Sequence, residues 1–422
     1  MILRTKIMIS FLIIVAAILM SASCDSRHDE VTIDDRAEPI KIDLRSTEKQ
    51  MVKSDQEFAF NFFSKVFAEE ANDEDNSFMV SPLSLSMALA MTLNGAEGDT
   101  KVAMQETLNL DGFSEHDING YYKKLRYALL ATDPSTKLSI ANSIWTNKNI
   151  PVNKDFLKVN VEFFNSKVAS VNFSDERAAV EINKWASDNT NGLIEKVIDK
   201  TKADDLMYLL NAIYFKGVWV SEFKKSNTLK KSFTLENGSL VDVDMMNQTA
   251  EFNYNSNDDL QIVQLPYGNE AFSMMVLLPK DNKKLHDVVE AIKEPNYWSS
   301  LIAGSRKYEV VLSLPKFKTT YSKKLNNVLM DMGMGVAFSD NADFSGLSEV
   351  SSKIDFVNQN TYISTDEVGT EAAAVTTIGM VVTSMPIEPE RVIFNANKPF
   401  LYVIQENYTG SILFMGAVKD TN

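Results

Sequence analysis

The chain has 422 residues, 45% of them hydrophobic and 23% charged, enough to bury a large core. It carries 42 basic and 57 acidic residues, a formal net charge of −15. Its basic groups are small and isolated (Lys123, Lys124 and Arg126; Lys224, Lys225, Lys230 and Lys231), which argues against a nucleic-acid surface or a polyanion site. One cysteine, Cys24, excludes internal disulfides and any CxxC redox or zinc motif.

At the N-terminus Arg4 and Lys6 precede an apolar run over 7–20 and the small stretch Ser21-Ala-Ser-Cys24. The run is short for a membrane span, and charge, apolar core and small residues follow in the order of an export signal over 1–23. Cys24 sits where a bacterial lipoprotein would be cleaved and acylated, although Ser21 replaces the usual leucine. An ordinary signal peptide with an incidental cysteine is the alternative. The expectation is an exported bacterial lipoprotein facing the periplasm or the cell surface, or a secreted protein.

Residues 24–53 are polar and without sustained periodicity, so they read as a tether. The body is expected over 54–422, with Ser54 as N-cap and Phe58, Phe62, Phe63, Val66 and Phe67 at helical spacing. Residues 84–91 read as a buried helix and 181–187 as part of an amphipathic one. The apolar run 207–215 suits a central strand covered on both faces. Residues 310–317 and 400–404 are further strands, and the mixture predicts an α+β body. Three scattered histidines, His28, His116 and His286, and the lack of HExxH, GxSxG or P-loop patterns give no enzyme, metal or cofactor expectation.

The most informative stretch is Glu367-Val-Gly-Thr-Glu-Ala-Ala-Ala-Val-Thr-Thr377. Gly369-Thr370-Glu371 can open an alanine-rich helix. Against that stand the β-branched Val375, Thr376 and Thr377 and the helix-breaking Gly379. As a strand, Thr370, Ala372, Ala374, Thr376, Ile378 and Met380 share an uncharged face. Glu371, Ala373 and Val375 point the other way. Such a segment can be exposed loop in one state and buried strand in another.

Ordered blocks accompany it: NSFMVSPLSLSMALAM at 76–91, NGAEGDT at 94–100, INKW at 182–185, TNG at 190–192 and LNAIYFKGVW at 210–219. LPY at 265–267, LPKFK at 314–318, AFSDNADFSG at 337–346, FNANKPFLYVI at 394–404 and LFMG at 413–416 complete the series. In this set and order the chain resembles the serpin family over nearly its whole length after the leader. The resemblance implies three β-sheets, about nine helices and an exposed reactive loop over about 367–393. It also implies a monomer whose partner is an endopeptidase.

By the same resemblance, residues from Glu367 to Thr376 form the hinge and the reactive bond falls between Thr383 and Ser384, with Val382 as the second choice. No basic residue lies near it, which favours an elastase-like or subtilisin-like serine protease; a papain-like cysteine protease would accept Val382. Ser81, Ser84 and Asn211 match the family's shutter beneath the sheet. Gln359 stands where the family commonly has histidine, and Trp219 matches the tryptophan where the hinge enters. The resemblance implies a suicide inhibitor; a non-inhibitory binding or structural protein of the same fold is the alternative, disfavoured by the small, uncharged inserting face.

Overall fold

The computed structural model describes residues 38–70, 76–370 and 390–421. Its fifteen strands are β1 (Phe78–Val80), β2 (Lys137–Asn147), β3 (Lys167–Val171), β4 (Met207–Val218), β5 (Leu229–Thr234), β6 (Leu240–Ser256), β7 (Leu260–Tyr267), β8 (Phe272–Pro279), β9 (Arg306–Pro315), β10 (Phe317–Lys324), β11 (Asn358–Thr365), β12 (Gly369–Thr370), β13 (Arg391–Asn395), β14 (Phe400–Glu406) and β15 (Ile412–Val418). Nine α-helices accompany them among the described residues. The α+β expectation holds.

Two ladders carry the strands. One has six strands in the order β10-β11-β12-β4-β2-β3, the other nine, with β6 pairing β5 and β9 along one part and β7 along another. The third sheet of the family pattern is therefore continuous with the second through the long β6. That strand's alternating burial lets it turn from one layer into the next.

The six-stranded sheet is covered on both sides at β4, as its apolar sequence requires. Tyr208 and Ala212 pack with Trp145, Phe173, Ile182 and Trp185, the last two on the helix Arg177–Asn189. Phe215 joins the main core on the opposite side. There the helix Pro82–Leu93 starts with Ser81 as N-cap, its hydroxyl accepting from Ser84 N, and with proline in the first turn, where no amide donor is needed.

The first helix corrects the expected boundary. It spans Ser46–Glu69, so Ser54 lies inside it and Arg45 takes the N-cap. Arg45 N and Nε donate to Glu48 Oε2 and Oε1 at 2.7 and 2.9 Å, and Lys124 reaches the same buried carboxylate at 2.7 Å. Ile42 and Leu44 are buried before the helix begins, so the packed body reaches into the polar stretch 38–53. Of the charged residues there, Glu48 is buried and meets Lys124, 76 positions away.

Asp55 ties this helix to Glu115–Ala131. The hydroxyls of Tyr121 and Tyr122 donate to its two oxygens at 2.6 and 2.8 Å. Burial pushes the Asp55 carboxyl up to about 6, against the lowering effect of those two hydrogen bonds. A raised carboxyl pKa means the folded state holds this proton more tightly than the unfolded one. The contribution to stability is full below about pH 4 and is lost as pH rises towards 6. Asp55→Asn is expected to gain on the order of 1–2 kcal/mol relative to wild type between pH 4 and 6.5, read from urea midpoints at both pH values. A pH-independent difference would refute the assignment.

Candidate functional site

The site is a slot in the six-stranded sheet. β4 pairs β2 along one edge and β11 pairs β10 along one edge, but among the described residues the two facing edges pair with nothing except β12. That strand has two residues, Gly369 opposite Val218 and Thr370 opposite both Gly217 and Thr365. Below it a cavity of roughly 440 Å³ lies between β4 and β11, lined by Ser81, Ser84, Leu209, Asn211, Gln359 and Thr361 among others.

At the upper end the chain leaves β11 and reverses. Asp366 Oδ1 accepts from Val368 N at 2.9 Å and Gly369 N at 3.3 Å, an Asx turn that returns the backbone beside β11. Gly369 is needed for closeness: a Cβ there would lie 2.1 Å from Gly217 O. Thr370 is buried, its hydroxyl 2.6 Å from Tyr267 OH. Tyr267 stacks on Trp219 with centroids 4.3 Å apart, and Trp219 Nε1 donates to Asp366 O at 3.0 Å. Burial holds the Tyr267 phenol well above its ordinary range, so it remains a neutral hydrogen-bonding group.

Glu367 is fixed in the same turn. Its carboxylate accepts from Thr228 Oγ1 at 2.8 Å and from Lys316 Nζ at 3.1 Å. Burial raises its pKa, but its own backbone N–H and these two partners outweigh that and hold the carboxyl below the usual value.

Midway down, Gln359 uses its whole amide on one peptide. Ser81 N donates to Oε1 at 2.9 Å, and Nε2 donates to Ser81 O at 2.8 Å. Ser81 Oγ donates to Leu413 O at 2.7 Å, which links β11 and the helix Pro82–Leu93 to β15. On the other wall Asn211 Nδ2 donates to Asn142 Oδ1 at 2.6 Å, while Asn211 Oδ1 is buried without a partner.

The fold thus brings Ser81, Ser84, Asn211 and Gln359 around one cavity and places Trp219, Glu367, Gly369 and Thr370 at its top. Two boundaries of the expected loop change. Residues 367–370 are already held in the sheet or its turn, because Gly369 allows the approach and Thr370 finds Tyr267. Residues 391–393 belong to β13, paired with β9. Glu371, Ala372, Ala373, Ala374, Val375, Thr376, Val382, Thr383, Ser384 and Cys24 lie outside the described residues. Sequence reading named no role for Tyr267, Lys316, Thr228 or Asn142. The first two sit inside the LPY and LPKFK blocks, which was the available signal.

With this arrangement in view, the matches to known proteins are specific. A family model described as Serpin (serine protease inhibitor) covers residues 53–421. This chain belongs to the serpin family. It is 35% identical over 388 residues to an uncharacterized serpin-like protein of Thermococcus kodakarensis, covering 89% of both chains. It is 32% identical over 365 residues to human neuroserpin, covering 82% of this chain and 87% of the relative. Among solved structures, the thermophilic serpin tengpin in its native state superposes with a TM-score of 0.79 at 30% identity, covering 92% of this chain and 99% of that one. The serpin family points to protease inhibition in general, with a protease as partner, and its members are mostly inhibitors rather than enzymes.

Gly369→Ala tests how the hinge is seated. The added methyl has no room beside Gly217 O, so β12 should leave the slot. Loss of the Asp366–Trp219 hydrogen bond should then shift tryptophan emission to the red and raise amide exchange at Thr370. Unchanged emission and exchange would show that the close approach is not what selects glycine.

Proposed function

We propose that this serpin is an irreversible suicide-substrate inhibitor of elastase-like or subtilisin-like serine endopeptidases, with papain-like cysteine proteases as a second target class. The observation that carries the reading is β12 itself. Gly369 and Thr370 already lie between β4 and β11 at one end of a slot that no other described residue fills.

The register supports the path of the rest. Thr370 faces Gly217 and Thr365, and each step down adds one residue on every strand. Ala372 would then meet Phe215 and Ile363, and Thr376 would meet Asn211 and Gln359. Met380 would meet Met207. The face turned inward is the small, uncharged one. Thr376 would bring a hydroxyl to the unpartnered Asn211 Oδ1, which lacks a donor before insertion. About ten residues at roughly 3.3 Å each would add some 33 Å of central strand. At about 1 kcal/mol net per hydrogen bond, the new ladders alone contribute on the order of 10 kcal/mol.

In the proposed reaction the protease nucleophile attacks the Thr383 carbonyl carbon. The bond to Ser384 N breaks, the amine takes a proton and leaves with the C-terminal fragment, and an ester (a thioester for a cysteine protease) remains. Insertion then competes with hydrolysis of that link. A slot open at the top gives insertion its start. Thr383 and Val382 suit a shallow apolar specificity pocket, and no basic residue nearby invites a trypsin-like enzyme.

Mixed with pancreatic elastase or subtilisin, the protein should give an adduct that survives denaturing electrophoresis, and the released peptide should begin at Ser384. Thr370→Arg should be cut without forming the adduct, since a guanidinium beneath the sheet costs several kcal/mol when unpaired. Clean cleavage of the wild type by every protease tried would favour the non-inhibitory reading.

We also propose that the chain is an exported bacterial lipoprotein, acylated at Cys24, with the sequence ahead of the packed body as its tether. The order of charge, apolar run and cysteine at the N-terminus supports this. Cys24→Ala should move the protein from the detergent to the aqueous phase on partitioning; unchanged partitioning would exclude acylation there.

A further inference from the structure

The slot is parted at its top by β12 and fastened at its bottom. Lys202, in the segment leading into β4, places Nζ 3.1 Å from Asp355 Oδ2, in the segment leading into β11. The two residues stand on opposite walls. Beside them Tyr208, on β4, meets the ring of Phe356 with centroids 5.7 Å apart.

The Lys202 side is itself anchored. Lys202 N donates to Asp205 Oδ2 at 2.7 Å, and the Tyr208 hydroxyl donates to the same oxygen. Asn147 Nδ2 holds Ala203 O and Asp205 O, and Thr201 Oγ1 donates to Phe173 O at 2.8 Å. On the far side Asn326 Nδ2 donates to Asp355 O and its Oδ1 accepts from Val357 N. Both ends of the ion pair are thus mounted on fixed backbone.

We propose that Lys202–Asp355, backed by Tyr208 against Phe356, is a clasp that keeps the lower end of the slot closed and sets the rate of the last part of strand insertion. This rests on the insertion reading given above. At the top β12 already holds β4 and β11 one strand apart; flanking a full central strand they would stand about 9.6 Å from each other. Continuing the register brings residue 377 opposite Asn358 and Met380 opposite Met207, next to the clasp. The first residues enter without disturbing the pair. The last ones part it.

The two side chains are 56% and 64% exposed, so salt reaches the pair and its hold is modest. Three variants of the full chain test it: Lys202→Ala, Asp355→Ala, and the exchange Lys202→Asp with Asp355→Lys. The probe is a labelled synthetic peptide of residues 371–380, its annealing followed by native electrophoresis at low and high salt. Each single variant should anneal roughly two- to fivefold faster than wild type at low salt, the exchange should restore the slow rate, and salt should speed only wild type and the exchange. Deuterium uptake at 207–210 and 358–360, measured without peptide, should rise in the single variants alone. Equal rates and uptake in all variants would overturn the clasp while leaving insertion intact. Failure of the peptide to enter any variant, wild type included, would overturn insertion and the clasp together.

Discussion

Among the described residues the sheet lacks a strand between β4 and β11 below β12, and this is the constraint on which the rest of the fold depends. β4 and β11 lie in a covered sheet, yet from Lys216 and Ser364 downward their facing edges have no ladder partner among the described residues. Backbone donors and acceptors at such edges are an open template for pairing, which proteins ordinarily cover or blunt. Here three local devices hold the edges apart or together instead. Trp219, Tyr267 and Thr370 seat the first rung at the top, Gln359 ties one wall to the underlying helix in the middle, and Lys202 with Asp355 spans the bottom. On the insertion proposed above, each would be small against the gain from completing the sheet, as a kinetically held state requires.

Much of this was legible from residue patterns because the slot demands unusual ones. An apolar run at 207–215 reads as a doubly covered strand, and the structure extends it to Val218. A glycine ahead of small residues at 369–374 reads as a segment made to enter a crowded place. The approach of Gly369 to the Gly217 backbone is the physical reason, and Gly217 in turn leaves room for the Tyr267 ring. What sequence hides are partners brought together only by folding. Asp55 with Tyr121, Lys202 with Asp355 and Glu48 with Lys124 lie 66, 153 and 76 positions apart. Each residue alone looks like solvated surface. For the same reason the first helix begins earlier than the polar stretch 24–53 suggests: Glu48 is buried, held by Arg45 from the exposed side and by Lys124.

The departure from the family at Gln359 has a consequence for how the shutter works. A neutral imidazole offers one donor and one acceptor on opposite sides of a ring, and one of them changes when it protonates. An amide offers both from a single group and keeps both at every pH. Gln359 closes a two-point contact with the Ser81 peptide, matching N–H to oxygen and carbonyl to NH₂. Parting Gln359 from Ser81 would therefore break two neutral hydrogen bonds and change the protonation of neither residue. The middle of the slot is insensitive to pH between 5 and 8, where a histidine would not be. At the upper end Lys316 and Thr228 help hold the Glu367 carboxyl below its usual pKa, and burial holds the Tyr267 phenol above its own.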